Sequence, residues 1–164
     1  MRVIVTDTGP LNYLLQIDAI ELLPKLFGRI VVPAAVRDEL SHRRSPAAVR
    51  AWIAAPPAWL EIRPNPDDST DRAMSRLLGQ GERATIALAQ GIGADLILMD
   101  EREGVAIARA HGFAVTGTLG VLDLAAQRGM VDLVQAFTRL KGTSFHYRQG
   151  LLDALLAQRS EEKK

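Results

Sequence analysis

Four acidic residues, Asp7, Glu39, Glu82 and Asp100, are the positions at which this chain is best equipped for chemistry. Asp7 closes the β-branched run Val3 to Thr6, and Asp100 closes Asp95 to Met99, a nearly all-apolar stretch of the kind expected for a central parallel strand. In open α/β sheets, ligands bind just outside the carboxyl ends of the strands, where both aspartates would stand. Glu82 begins a helical pattern after Gly79-Gln80-Gly81, and Glu39 falls in the helix expected after a second strand. Carboxylates drawn together repel one another, so such a pocket needs a cation or bound protons. With no cysteine in the chain and no histidine near the acids, oxygen ligands favour Mg²⁺ or Mn²⁺.

Each acid also has a purely structural reading. Asp7 and Asp100 stand where helix N-caps are expected, and Glu82 would complement the positive end of a helix dipole, effects of roughly 0.5 to 2 kcal/mol each. Glu39 could pair with Arg43 at the favourable i, i+4 spacing. From residue types and spacing alone the two readings are evenly matched.

The elements that would position these acids alternate along the chain. Strands are expected at Val3 to Thr6, Arg29 to Val32, Trp59 to Ile62, Asp95 to Met99 and Phe113 to Val115. Helices are expected from Thr8, over Asp18 to Phe27 with Pro24 as a weak point, from Pro33 through Leu40, and from Ser45-Pro46 to the Pro56-Pro57 pair. Beyond a polar turn at Pro64 to Ser69, helices are expected over Asp71 to Leu78, Glu82 to Gln90, Glu101 to Ala110, Thr118 to Gln127, Val131 to Leu140 and Leu151 to Leu156. Such alternation predicts an α/β fold, a three-layer αβα sandwich around a mainly parallel sheet of about four to five strands. One domain over residues 1–159 with a loose charged tail at 160–164 suits the length of 164 residues and the 48% hydrophobic content.

Composition narrows the partners. A net charge of +1 excludes a basic nucleic-acid arm and an acidic disordered segment, so any polyanion must meet a local patch. Sixteen of the twenty cationic residues are arginine, which suits phosphate forks, and Arg37, Arg83 and Arg102 lie nearest the acids. The opening residues are too polar for the apolar region of a signal peptide, and no run approaches the roughly 20 apolar residues of a membrane span. A soluble, cytoplasmic protein without a membrane partner is expected. Trp52 and Trp59, flanked by Ala, Ile and Leu, are expected to pack rather than stack on bases, and His42, His111 and His146 align with no acid.

Five ordered blocks carry a more specific signal: Val5-Thr6-Asp7-Thr8-Gly9-Pro10-Leu11, Val32-Pro33 leading to Val36-Arg37-Asp38-Glu39-Leu40, Gly81-Glu82-Arg83-Ala84-Thr85-Ile86-Ala87-Leu88-Ala89, Ala94 through Asp100, and Val115-Thr116-Gly117-Thr118-Leu119-Gly120-Val121-Leu122. Together they resemble a PIN domain, and more narrowly the DUF3368-like branch related to VapC-type toxins, over about residues 3 to 127. The resemblance implies a metal-dependent ribonuclease in which Asp7, Glu39, Glu82 and Asp100 match the family's acidic positions and hold Mg²⁺ or Mn²⁺. It implies Asp7 and Asp100 as the most direct ligands, Glu82 as a direct or water-mediated ligand, and Glu39 as a further ligand or the base for the attacking water. RNA as substrate, an antitoxin protein if the chain acts as a toxin, and a homodimer are the partners it implies.

Other functions fit less well. A phosphatase with the first-strand Asp as nucleophile wants a second acid two residues on, where Gly9 stands. A phospho-receiver wants a lysine at a late strand end, and Lys25, Lys141, Lys163 and Lys164 are elsewhere. The rival from another class is a catalytically inactive PIN-like module for nucleic-acid or protein interaction. Mixed charge, and Ala84 where the branch often carries a second Glu, speak for it.

Overall fold

A computed structural model describes residues 2–67, 77–146 and 149–162. Five short apolar strands form one all-parallel sheet: β1 (Ile4–Thr6), β2 (Ile30–Pro33), β3 (Leu60–Arg63), β4 (Leu96–Leu98) and β5 (Val115–Thr116), in the order β3-β2-β1-β4-β5. Register follows from paired apolar residues, Val5 opposite Val31 and Ile97, and Ile97 opposite Val115. Parallel neighbours require crossovers, which the helices supply. These are α1 (Thr8–Gln16), α2 (Leu22–Phe27), α3 (Ala34–Leu40), α4 (Ala47–Ala54), α5 (Gln80–Ile92), α6 (Arg102–Ala110), α7 (Thr118–Gln127), α8 (Leu133–Lys141) and α9 (Gln149–Glu162).

Side chains alternate across a strand, and here the alternation divides the core in two. Ile4, Ile30, Val32, Leu96 and Leu98 face a large cluster completed by Leu11 and Leu14 of α1, Val121 and Leu122 of α7 and Phe137 of α8. Val5, Val31, Ile97 and Met99 face a smaller one with Ile86 and Ala89 of α5 and Ala108 of α6. The inner strands β2, β1 and β4 are buried on both sides, so the chain is the three-layer α/β sandwich its patterning predicts, with five parallel strands.

Several boundaries differ from expectation for local reasons. The helix expected from Asp18 begins at Leu22, because Asp18 takes a left-handed φ of 58° just past α1. Gly79-Gln80-Gly81 does not break the chain before Glu82: α5 starts at Gln80 with Gly79 as its N-cap, and runs through Gly91 to a left-handed Gly93. The strand expected at Phe113 to Val115 is shifted to Val115–Thr116, where it pairs with Ile97 and Leu98. The last helix continues to Glu162, past the Leu156 that ends its apolar stripe. The helix expected at Asp71 to Leu78 lies almost wholly outside the described residues. No helix among the described residues is long and apolar enough to cross a membrane.

Candidate functional site

With strands in the order 3-2-1-4-5, connections leave β1 in opposite directions on its two sides, making the β1/β4 boundary the topological switch point. The two aspartates of the sequence motif flank it. Asp7 follows β1 directly, its amide donating to the Leu98 carbonyl at 2.8 Å and so continuing the ladder toward Asp100, two residues past β4. Glu39 arrives from the last turn of α3 and Glu82 from the first turn of α5.

The carboxylates grade from buried to open. Asp7 is 4% exposed, Asp100 and Glu82 are half-buried, and Glu39 is exposed. Burial pushes the Asp7 carboxyl up from 3.8 to about 8, with Glu82 and Glu39 adding like-charge repulsion against hydrogen bonds from Thr8 and Thr85. No cationic side chain is among these influences. Glu82 and Glu39 therefore both act electrostatically on Asp7. Burial also raises Asp100, opposed by its hydrogen bonds from Thr118.

Each of three acids meets its own threonine hydroxyl. Thr8 Oγ1 donates to Glu39 at 2.5 Å and Thr118 Oγ1 to Asp100 at 2.6 Å, while Thr85 Oγ1 donates to the Gly81 carbonyl at 2.8 Å and makes a longer contact with Asp7 at 3.3 Å. Glycines let the carboxylates lie directly on backbone. A Cβ at Gly9 or Gly117 would meet an Asp100 oxygen at 2.9 or 2.7 Å, and one at Gly81 would collide with the Glu39 carboxylate. This explains a helix whose second residue is glycine: Gly81 is buried because Glu39 packs there.

The capping readings fare unevenly. Asp7 occupies the N-cap of α1 yet makes no side-chain capping bond. Asp100 does not cap the helix that follows it, whose N-cap is Glu101; its carboxylate accepts from the Thr118 amide at 2.7 Å and so caps α7 from a neighbouring strand end. Glu82 stays in the first turn of α5, compatible with the dipole. Glu39 has no ion pair with Arg43 among the described residues, since α3 ends at Leu40 and leaves Arg43 off the helix. Thr85 and Thr118 were not singled out from the sequence as partners of acids. Thr85 lies on the same helix three residues after Glu82, the only local hint of its role.

Around the site, Glu101 and Glu103 share a hydrogen bond that raises the first and lowers the second. Arg37 pairs with Asp38 at 3.2 Å. Trp52 and Trp59 pack on each other with centroids 5.8 Å apart and join the larger core cluster. His146 lines a groove that includes Asp100.

An all-oxygen set around a buried carboxylate with no cationic partner suits a hard divalent ion, because only a proton or a cation relieves the charge at Asp7. Among the described residues, no three carboxylates or histidines are grouped so as to hold one metal ion. Asp7, Glu82 and Glu39 are the ones whose charges already act on a common point. A family model, DUF3368, described as a PIN domain, matches residues 3–161. Neither the comparison with curated proteins nor that with solved structures gave a match.

Proposed function

The chain belongs to the PIN domain family, whose members are generally nucleases that use divalent metals, and on that premise we propose that it is a Mg²⁺- or Mn²⁺-dependent ribonuclease. The observation that carries this reading is the Asp7 carboxylate, buried at the switch point under the influence of Glu82 and Glu39. When bound, the ion supplies neutralising charge at a phosphodiester and lowers the pKa of water.

The protein's own groups would divide the remaining work. Asp7 and Asp100, on the ends of adjacent strands, would hold the ion, with Glu82 beside them. Thr118 fixes both Asp100 oxygens through its amide and hydroxyl, so that carboxylate is oriented before any ligand arrives. Glu39 is exposed and anchored by Thr8, which suits a base that takes a proton from the attacking water. No side chain need act as nucleophile.

A second reading, a PIN-like interaction module without catalysis, has one observation in its favour: no three acids stand together for one ion among the described residues. Incubating the purified chain and Asp7→Asn with structured and single-stranded RNAs in Mn²⁺ separates the two. We expect Mn²⁺-dependent cleavage that Asp7→Asn lowers by at least about 100-fold; equal inactivity of both proteins would sink the ribonuclease reading. A toxin role adds an antitoxin, tested by whether co-expression of the adjacent open reading frame relieves growth arrest.

A further inference from the structure

Beyond Asp100 a groove of about 790 Å³ opens between α6, α7 and the residues Phe145, His146 and Leu151, and it continues out of the candidate site. We propose that this groove is the track for a single-stranded stretch of RNA beside the scissile phosphate, with Arg102 and Arg109 as its phosphate contacts. This rests on the ribonuclease reading and adds to it where the strand lies and which strands are accepted.

Helix geometry builds the wall. Arg102, Val105, Ala106 and Arg109 all line the groove, at the i, i+3, i+4, i+7 spacing of one face, while Gly104 and Ala108 on the opposite face are buried in the sandwich. Both arginines are exposed, and neither has an ion pair among the described residues. Seven residues at about 1.5 Å each put them roughly 10 Å apart along the axis. Arginine forks at that separation suit two different phosphates of one backbone rather than one small anion. Anionic Asp100 and Glu101 occupy only the end that meets the candidate site.

The rest of the lining favours unpaired bases. Half-buried Val115 and Leu151, which is 48% exposed, give apolar surface over the buried Leu119. Phe145 lines the same space, its ring held edge-on against Tyr13 at 5.0 Å, a fixed platform for a base. A duplex turns its bases inward and offers nothing to such a wall, whereas a single strand can place phosphates on the arginines and a base on Phe145.

The test uses the full chain carrying Asp7→Asn, so that RNA is bound without being cut, and reads fluorescence anisotropy of a short unstructured RNA and of its duplex across a salt series. The single strand is expected to bind at least about fivefold tighter than the duplex, the lower end of one stacked base. Adding Arg102→Ala and Arg109→Ala should weaken single-strand binding and reduce the slope of log K against log salt by about 0.7 for each phosphate no longer neutralised. Unchanged affinity and slope in that variant, or equal binding of the duplex, overturns the proposal. So does loss of self-association or protein capture with RNA affinity intact, which would assign the groove to a protein partner. Cleavage by the wild type with an unchanged slope removes the groove and leaves the nuclease; a reduced slope with no cleavage removes the nuclease and leaves the groove.

Discussion

The carboxylates at the end of β1 and the groove beyond β4 share one edge of the sheet and differ in almost everything else. Around the buried Asp7 the neighbouring side chains are acidic, with hydroxyls beside them. Along α6 they are exposed, with arginines at the helix's two ends and apolar surface between. A phosphate backbone is repelled by the first region and meets its cationic contacts, Arg102 and Arg109, in the second. A divided site of this kind lets affinity for a nucleic acid come from the groove, while a phosphodiester is tolerated among the acids only with a cation.

The sharpest way to break that contrast is at Asp7. Its carboxyl stands at about 8 in the folded chain against 3.8 ordinarily. The raised value means the unfolded chain gives up this proton first; the stability tied to it is whole below about pH 4 and is lost as pH climbs through about 8. Asp7→Asn should therefore match the wild type in acid and exceed it at pH 8 to 9, by on the order of a few kcal/mol in denaturant melts. Mn²⁺ should raise the wild-type melting temperature at pH 8 and leave that of Asp7→Asn unchanged. If the two proteins' stabilities run parallel from pH 4 to 9, Asp7 is not a strained carboxylate.

A smaller effect is expected at Thr118. Replacing it by Val removes the hydroxyl that donates to Asp100 and keeps the amide. Supporting groups of this kind are worth roughly 10- to 100-fold in metal affinity or activity. Mn²⁺ titration monitored by calorimetry should find the loss, and RNA anisotropy should not, since Arg102, Arg109 and Phe145 are untouched. Equal loss in both would mean that the two regions are not separable.

Smallest of all is Gly81→Ala. The new methyl displaces the Glu39 carboxylate, a flexible end on the exposed side, so the melting temperature should move by no more than about 3 °C. Cleavage should nevertheless fall several-fold as Glu39 leaves Thr8, and Thr8→Val should reproduce that loss without the methyl. A Gly81→Ala enzyme of full activity would take Glu39 out of the reaction.

Much of the frame was legible along the chain because it depends on local chemistry. The apolar runs before Asp7 and Asp100 predict buried parallel strands, and both form. The pair of edge strands was harder: β5 has only two residues, and its register is decided by what Ile97 and Leu98 offer it. Gly79-Gln80-Gly81 reads as a break when backbone freedom alone is considered, whereas packing uses Gly81 inside a helix to admit a side chain 42 positions away.

By itself the sequence determined that strands alternate with helices, that Asp7 and Asp100 end strands, and that four acids belong to one ordered set of blocks. Those follow from periodicities of two and 3.6 residues and from motifs within a few positions of each other. Only the tertiary structure decided which acid is buried, which threonine each one takes, and that Asp100 caps α7 rather than the helix after it. Thr85 is 78 residues from Asp7 and Thr118 is 18 from Asp100. Contacts across such spans depend on how helices seat on the sheet, and the same seating turns Arg102 and Arg109 from two exposed cations into one wall of a groove.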